Sequence, residues 1–228
     1  MISPAQNKLE EFCSSPARPP RGGQRATSAE GLLMVQEINH RVGNEYAIAI
    51  ALLRSEARRT GDRQASRALN STAERLGRLS RAHQVLQPPA GAAAVNLADY
   101  LQDLCAALSL AVLRDRGVAL TIRLYDFALP PGCCWRVGLI VAELINNSVR
   151  HGFRGGGGHI LLEAVRDGAD VVCRVADDGC GVAAGKPGRG RRLVESLAAD
   201  IGGDVTWTFA PGGVTAVLTF PFEDWRAV

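Results

Sequence analysis

The stretch ASRALNSTAERLGRLSRAHQVL, residues 65–86, sets Ala65, Leu69, Thr72, Leu76, Leu79, His83 and Leu86 on one line, in steps of 4, 3, 4, 3, 4 and 3. A seam of that period over three heptads predicts an amphipathic helix that buries one stripe. Just upstream, Gly61-Asp62 punctuates the chain: Gly61 suits a helix C′ position and Asp62 an N-cap. Before that turn the chain runs without proline from Ser28, with Val35, Ile38, Val42, Ala49 and Leu52 at mostly 3-and-4 spacing, broken by Glu45. Two helices of similar length joined by a tight turn make an antiparallel hairpin. A lone hairpin leaves its seam in water, so residues 29–87 are expected to pair with a second copy as a homodimeric four-helix bundle.

Beyond the hairpin, Pro88-Pro89-Ala90-Gly91-Ala92-Ala93-Ala94 reads as a hinge, residues 88–94. The pattern then changes to alternating helices and strands over residues 95–222. Helices are expected at Leu97–Arg114, Cys133–His151 and Arg191–Ile201, and strands at Val118–Tyr125, His159–Val165 and Val171–Ala176. A hairpin of Asp204–Phe209 and Val214–Phe220, turned at Gly212-Gly213, closes the domain. The fold class is therefore α+β: a helical hairpin followed by an α/β sandwich. Residues 1–28, with Pro4, Pro16, Pro19, Pro20, Gly22 and Gly23, read as a flexible lead-in, and residues 223–228 as a tail.

Composition excludes several classes. At 46% hydrophobic and 21% charged residues the chain of 228 residues has the apolar content of a globular protein, not a disordered one. The longest apolar run, Leu104–Leu113, is broken by Ser109 and is about half the ~20 residues a bilayer requires, so no membrane span is expected. Met1–Glu11 lacks both a basic start and an apolar stretch, so no secretion signal is expected. A net charge of +3 gives no argument for nucleic acid. Lys8 and Lys186 are the only lysines among 26 basic residues, which reads as codon bias before function. The six cysteines, at 13, 105, 133, 134, 173 and 180, contain no C-x-x-C pair and suit neither a disulfide framework nor a zinc site. A reducing, cytoplasmic setting is the simplest expectation.

Four segments carry the chemistry. In Glu37-Ile38-Asn39-His40-Arg41-Val42-Gly43-Asn44, His40 lies two positions from both Ile38 and Val42 and so faces away from the seam. Its neutral imidazole is nucleophilic near pH 7. Glu37, three residues before, and Asn44, four after, share its helical face. Glu37 can orient the ring or take its proton, and Asn44 can position a phosphoryl group or a water. In Glu143-Leu144-Ile145-Asn146-Asn147-Ser148-Val149-Arg150-His151-Gly152-Phe153, Glu143 and Asn147 are one turn apart, a spacing that can hold hydrated Mg²⁺ against triphosphate oxygens. In Asp177-Asp178-Gly179-Cys180-Gly181, Gly179 and Gly181 permit close backbone approach to a flat ligand. In Gly188-Arg189-Gly190-Arg191-Arg192-Leu193-Val194, Gly188 and Gly190 precede a helix whose N–H groups suit an anion. Each segment also has a plain reading: a surface histidine, a polar helix face, a turn, a helix start. His83 sits on the seam and reads as a core residue, and His151 as a helix-end cation.

Together, in this order, the four segments resemble a bacterial two-component sensor histidine kinase of the HWE-related class, whose phosphoacceptor box has the pattern E-x-x-H-R-V-K-N and whose ATPase domain is of the GHKL (Bergerat) type. The resemblance spans about Glu30 to Phe220. It implies ATP and Mg²⁺ as cofactors, His40 as phosphoacceptor, Asn147 on the metal and Glu143 polarising a metal-bound water. It also implies Arg150 and His151 facing phosphate, Asp177 accepting the adenine amino group, and Gly179, Gly181, Gly188 and Gly190 around the nucleotide. The implied acceptor of the phosphoryl group is an aspartate on a response regulator receiver domain. No sensor domain is recognisable, so input is expected from a separate sensor protein, or activity is constitutive.

This chain departs from the family pattern at four places. Gly43 stands where lysine is usual, and Arg189 and Arg191 stand where leucines are usual. Only six residues separate Gly181 from Gly188, which trims the ATP lid. The Val171–Ala176 strand lacks W-x-E, which places the chain beside the HWE class proper. The rival expectation is a degenerate kinase that only relays phosphate or docks a regulator. A serine-directed kinase of the anti-sigma type shares the ATPase fold but lacks a preceding phosphoacceptor hairpin.

Overall fold

The computed structural model describes residues 29–89, 93–153, 156–181 and 188–222, with backbone alone for 29–40. The expected lead-in (1–28), the middle of the hinge, the stretch between Gly181 and Gly188 and the tail lie outside the described residues, as do the side chains of Glu37 and His40.

Helix α1 (Ala29–Arg59) and helix α2 (Arg63–Val85) form the hairpin. Asp62 is the N-cap of α2, its carboxylate accepting from the backbone N–H of Gln64 at 2.7 Å and of Ala65 at 3.4 Å. Gly61 does not adopt the left-handed conformation expected of a C′ glycine; the left-handed glycines lie elsewhere. Small residues bring the helices together. Ala57 and Ala73 are buried, and the Ser66 hydroxyl donates to the Ala57 carbonyl at 2.7 Å. The larger seam residues Leu69 and Leu76 are only half-buried and Leu79 is exposed. His83 is half-buried, its ring 6.0 Å from that of Tyr46 in an edge-on contact.

The second part is a two-layer sandwich. Its five-stranded sheet comprises β2 (Val118–Leu124), β4 (Gly158–Asp167), β5 (Asp170–Asp177), β6 (Asp204–Ala210) and β7 (Gly213–Pro221). The strand order is β2-β4-β5-β7-β6, with β2 parallel to β4 and the other pairs antiparallel. Helices α3 (Leu97–Leu108), α4 (Pro131–Asn147) and α5 (Arg189–Asp200) complete it. The alternation that predicts the strands also builds the core. Ile160, Leu162 and Ala164 of β4, Val171, Cys173 and Val175 of β5, and Ala216, Leu218 and Phe220 of β7 are all buried with Leu101, Leu104, Val137, Ile140 and Val194 of the helices.

Five details differ from the sequence expectation. A two-residue pair, β1 (Val95–Asn96) with β3 (Ala128–Leu129), has no sequence signal of its own. The first expected helix ends early, in a π-turn (Ser109–Leu113) and a 3₁₀ turn (Arg114–Arg116) stopped by left-handed Gly117. The second also ends in a π-turn, Ser148–Gly152. Helix α5 starts two residues early, with Gly188 as its N-cap. The last hairpin turns at Pro211-Gly212, since Gly213 already pairs with Ala210.

The hairpin rests on the sandwich through α2. The Trp135 indole N–H donates to the Leu86 carbonyl at 2.7 Å, and Arg75 and Arg78 reach Asp115 at 3.6 and 3.3 Å. Among the described residues no helix is long and apolar enough to cross a membrane.

Candidate functional site

A cavity of 430 Å³ opens between the C-terminal half of α4, the start of α5 and the ends of β5, β6 and β7, within the size range of small-molecule sites (~300–1,000 Å³). Glu143, Asn147, Arg150, His151, Asp177, Gly181, Gly188 and Gly190 all line it. Residues separated by almost fifty positions thus converge, because α4 and β5 lie side by side and α5 begins above them.

Asp177 is the most constrained polar group there. Its Oδ2 accepts from the Ser148 hydroxyl at 2.7 Å, and its Oδ1 accepts from the backbone N–H of Gly179 at 3.0 Å and of Val214 at 3.2 Å. Ser148 also lies 3.2 Å from the Leu144 carbonyl. With one hydroxyl proton to give, the shorter contact to a charged acceptor is the stronger bond. The carboxylate is therefore held in one orientation by three elements: the π-turn after α4, the loop after β5 and the start of β7. Asp178 plays a different part, turning back to accept from the His159 N–H at 2.7 Å.

The glycines explain the closeness of these loops. A Cβ on Gly179 would lie 2.6 Å from the Gly152 Cα, and one on Gly152 would lie 3.3 Å from Asp177 Oδ1. Gly179 thus serves the contact between two loops behind the cavity, and it does not line the cavity itself. Gly181 is left-handed, at φ 63°, and a Cβ there would run into the Ala210 carbonyl. In the first turn of α5 a Cβ on Gly190 would run into the Glu143 carboxylate, with the Asn147 amide nitrogen 3.4 Å away. The N-terminus of α5, which has no side-chain cap, therefore sits directly over the Glu143–Asn147 pair. Its first-turn N–H groups and the two polar side chains face the same space, an arrangement suited to an anion with an accompanying cation. Arg150 and His151, on the π-turn, are exposed at the rim. Among the described residues no cluster of three or more His, Cys, Asp or Glu side chains could hold a metal by itself.

Sequence reasoning missed the apolar wall: Leu144, Val175, Trp207, Phe209 and Ala216. Strand alternation could have found it, since Trp207 pairs with Ala216 and Ala216 with Val175, a row across three strands on the inner face. Ser148 was discoverable only as the neighbour of Asn147. Glu37, His40 and Asn44 lie on α1, with Asn44 exposed and the side chains of Glu37 and His40 outside the described residues.

Comparisons with known proteins point the same way. Residues 37–112 match a family model described as histidine kinase. Residues 135–224 match the model of the histidine kinase-, DNA gyrase B- and HSP90-like ATPases. The chain is 24% identical over 216 residues to blue-light-activated histidine kinase 2 of Erythrobacter litoralis, covering 90% of this chain and 61% of that protein. It is 27% identical over 154 residues to the sensor histidine kinase PdtaS of Mycobacterium tuberculosis, covering 66% of this chain and 30% of that protein. This chain thus spans less than two thirds of either relative. In fold it is similar to the histidine kinase domain of the Erythrobacter litoralis EL346 blue-light-activated kinase, with a TM-score of 0.57 at 20% identity over 80% of this chain and 98% of that one. Full-length ShkA in complex with AMPPNP gives 0.50 at 19% identity, over 87% and 47% of the two chains.

Proposed function

Since the chain belongs to the HWE-related sensor histidine kinases with a GHKL-type ATPase domain, we propose that it moves the γ-phosphoryl of ATP to His40 and from there to an aspartate of a response regulator. The observation that carries this reading is that one cavity gathers Asp177, Asn147, Glu143 and the start of α5. ShkA, its relative in fold, was solved with AMPPNP.

In this reading Asp177 accepts the adenine amino group. Its orientation is already set by Ser148, Gly179 and Val214, so little ordering is left to binding. The triphosphate runs toward the uncapped N–H groups of α5, with Arg150 and His151 at the rim. Asn147 would hold Mg²⁺, beside Glu143. When bound, the ion neutralises charge between phosphate oxygens. On α1, His40 attacks the γ-phosphorus: an N–P bond forms, the bond to the ADP oxygen breaks, and the imidazole proton passes to Glu37, which also orients the ring. Asn44 positions the transferring group. Two copies pair through α1 and α2, a regulator receiver docks on the hairpin, and a separate sensor supplies input.

The test is incubation with γ-labelled ATP and Mg²⁺. Acid-labile, base-stable label is expected on the wild-type chain and none on His40→Ala. Equal labelling of that variant sinks the assignment. The six-residue connection between Gly181 and Gly188 favours a second reading, a non-catalytic phosphotransfer or docking module. That reading requires no label from ATP but label from a phosphorylated receiver.

A further inference from the structure

Arg191 is one of the departures from the family pattern that the nucleotide reading leaves unexplained. It sits in the first turn of α5 and lines the cavity. Its guanidinium carbon lies 5.2 Å from the centroid of the Trp207 ring, and its Nε donates to Glu195 at 3.1 Å. The Glu195 carboxylate already balances the charge of Arg191, so this side chain offers the cavity a planar surface and N–H donors more than a net positive charge. The buried Trp207 Nε1 has no acceptor among the described residues, and the Arg191 guanidinium lies over its ring.

Trp207 lies in the row with Ala216 and Val175, and Phe209 pairs with Val214, whose N–H holds Asp177. The aromatic wall is thus continuous with the group that would receive the base. We propose that Arg191, backed by Trp207 and held by Glu195, is a positioning residue for the purine ring: its flat guanidinium forms the α5-side wall of the base slot and not a contact to phosphate. This rests on the nucleotide reading above.

The experiment separates base from phosphate and this inference from its premise. Equilibrium affinities of the full chain for adenosine, AMP and ATP are measured for wild type, Arg191→Leu, Arg191→Lys and Asp177→Asn, with Trp207 emission as a second readout and Trp207→Phe as its control. Arg191→Leu is expected to weaken adenosine, AMP and ATP by the same factor, about tenfold. Arg191→Lys should fail to rescue, since an ammonium has the charge without the plane. Adenosine should shift the indole emission in wild type and not in Trp207→Phe. A loss confined to ATP, or rescue by lysine, overturns the proposal in favour of a phosphate contact. Unchanged affinities in Arg191→Leu, with Asp177→Asn weakened, overturn it and leave the nucleotide reading standing. No binding of any of the three by wild type overturns both.

Discussion

Asp177 holds its place through three donors, and this makes one substitution unusually informative. Asparagine keeps an oxygen for the N–H groups of Gly179 and Val214 but turns a donor toward Ser148 and toward any amino group in the cavity. Asp177→Asn is expected to leave the fold intact and weaken ATP binding roughly 10- to 100-fold, the ~1.5–3 kcal/mol of a hydrogen bond to a charged group. Calorimetric titration checks it, and unchanged affinity would place the base elsewhere. The cysteines give a second residue-scale expectation. Burial pushes the thiols of Cys105, Cys134 and Cys173 each up to about 12, with neighbouring thiols adding to the rise at Cys134 and Cys173. Below the unfolded value of ~8.5 both states are protonated, and stability is full. From there to about 12 the unfolded chain ionises while the folded chain keeps its protons, so stability falls as pH rises. Urea midpoints at pH 8 and pH 10.5 should show that fall. Iodoacetamide should reach exposed Cys180 in the native protein and these three only on unfolding. At this scale it was legible that Glu143, Asn147 and Asp177 belong together, the first two from their one-turn spacing and Asp177 from the resemblance of its segment, and all three line one cavity. Ser148 and Trp207 were not legible, because a serine after an asparagine and an aromatic in a strand have ordinary roles that only tertiary proximity overrides.

Elements were legible wherever periodicity was long. The heptad line gave α2, and strand alternation gave β4, β5 and β7 with their buried faces. The π-turn at Ser148–Gly152 was not legible: its first residue is tied to Asp177, twenty-nine residues away. Glycines divide in the same way, between those the backbone requires and those it merely tolerates. Gly43 lies inside α1 with nothing within 4 Å of a Cβ built on it, so Gly43→Ala is expected to stabilise the hairpin by about 0.5–1 kcal/mol. Gly179→Ala would force a Cβ to within 2.6 Å of the Gly152 backbone and should cost about 1–3 kcal/mol, together with the Asp177 geometry. Denaturant melts of the two variants should therefore move in opposite directions. A shift in the same direction would show that the loop contact behind the cavity yields more easily than its geometry implies.

At the scale of the molecule, the division into hairpin and sandwich could be read from the change of pattern at Pro88, but their mutual contact could not. Trp135 reaching Leu86 and Asp115 bridging Arg75 and Arg78 join residues whose sequence neighbourhoods give no hint of one another. The hairpin's other surface carries the remaining question. Ile48 and Leu52, one turn apart on α1, are each 61% exposed, and Leu79 on α2 is 42% exposed. Leu69 and Leu76 on α2 are half-buried. Apolar area removed from water contributes about 25 cal/mol per Å², so covering several such side chains on two copies at once favours pairing by several kcal/mol. Leu76 is already half-buried in a single chain, so its replacement by aspartate would confuse unfolding with dissociation. Leu52 separates the two effects: within one chain it is mostly in water, and the single hairpin has little to lose when it is replaced. Leu52→Asp places two like charges against the pairing face of a dimer and none in the core of a monomer. Sedimentation of the full chain should show a wild-type dimer and a Leu52→Asp monomer with unchanged helical circular dichroism. A monomeric wild type would mean that something other than a second copy covers this stripe.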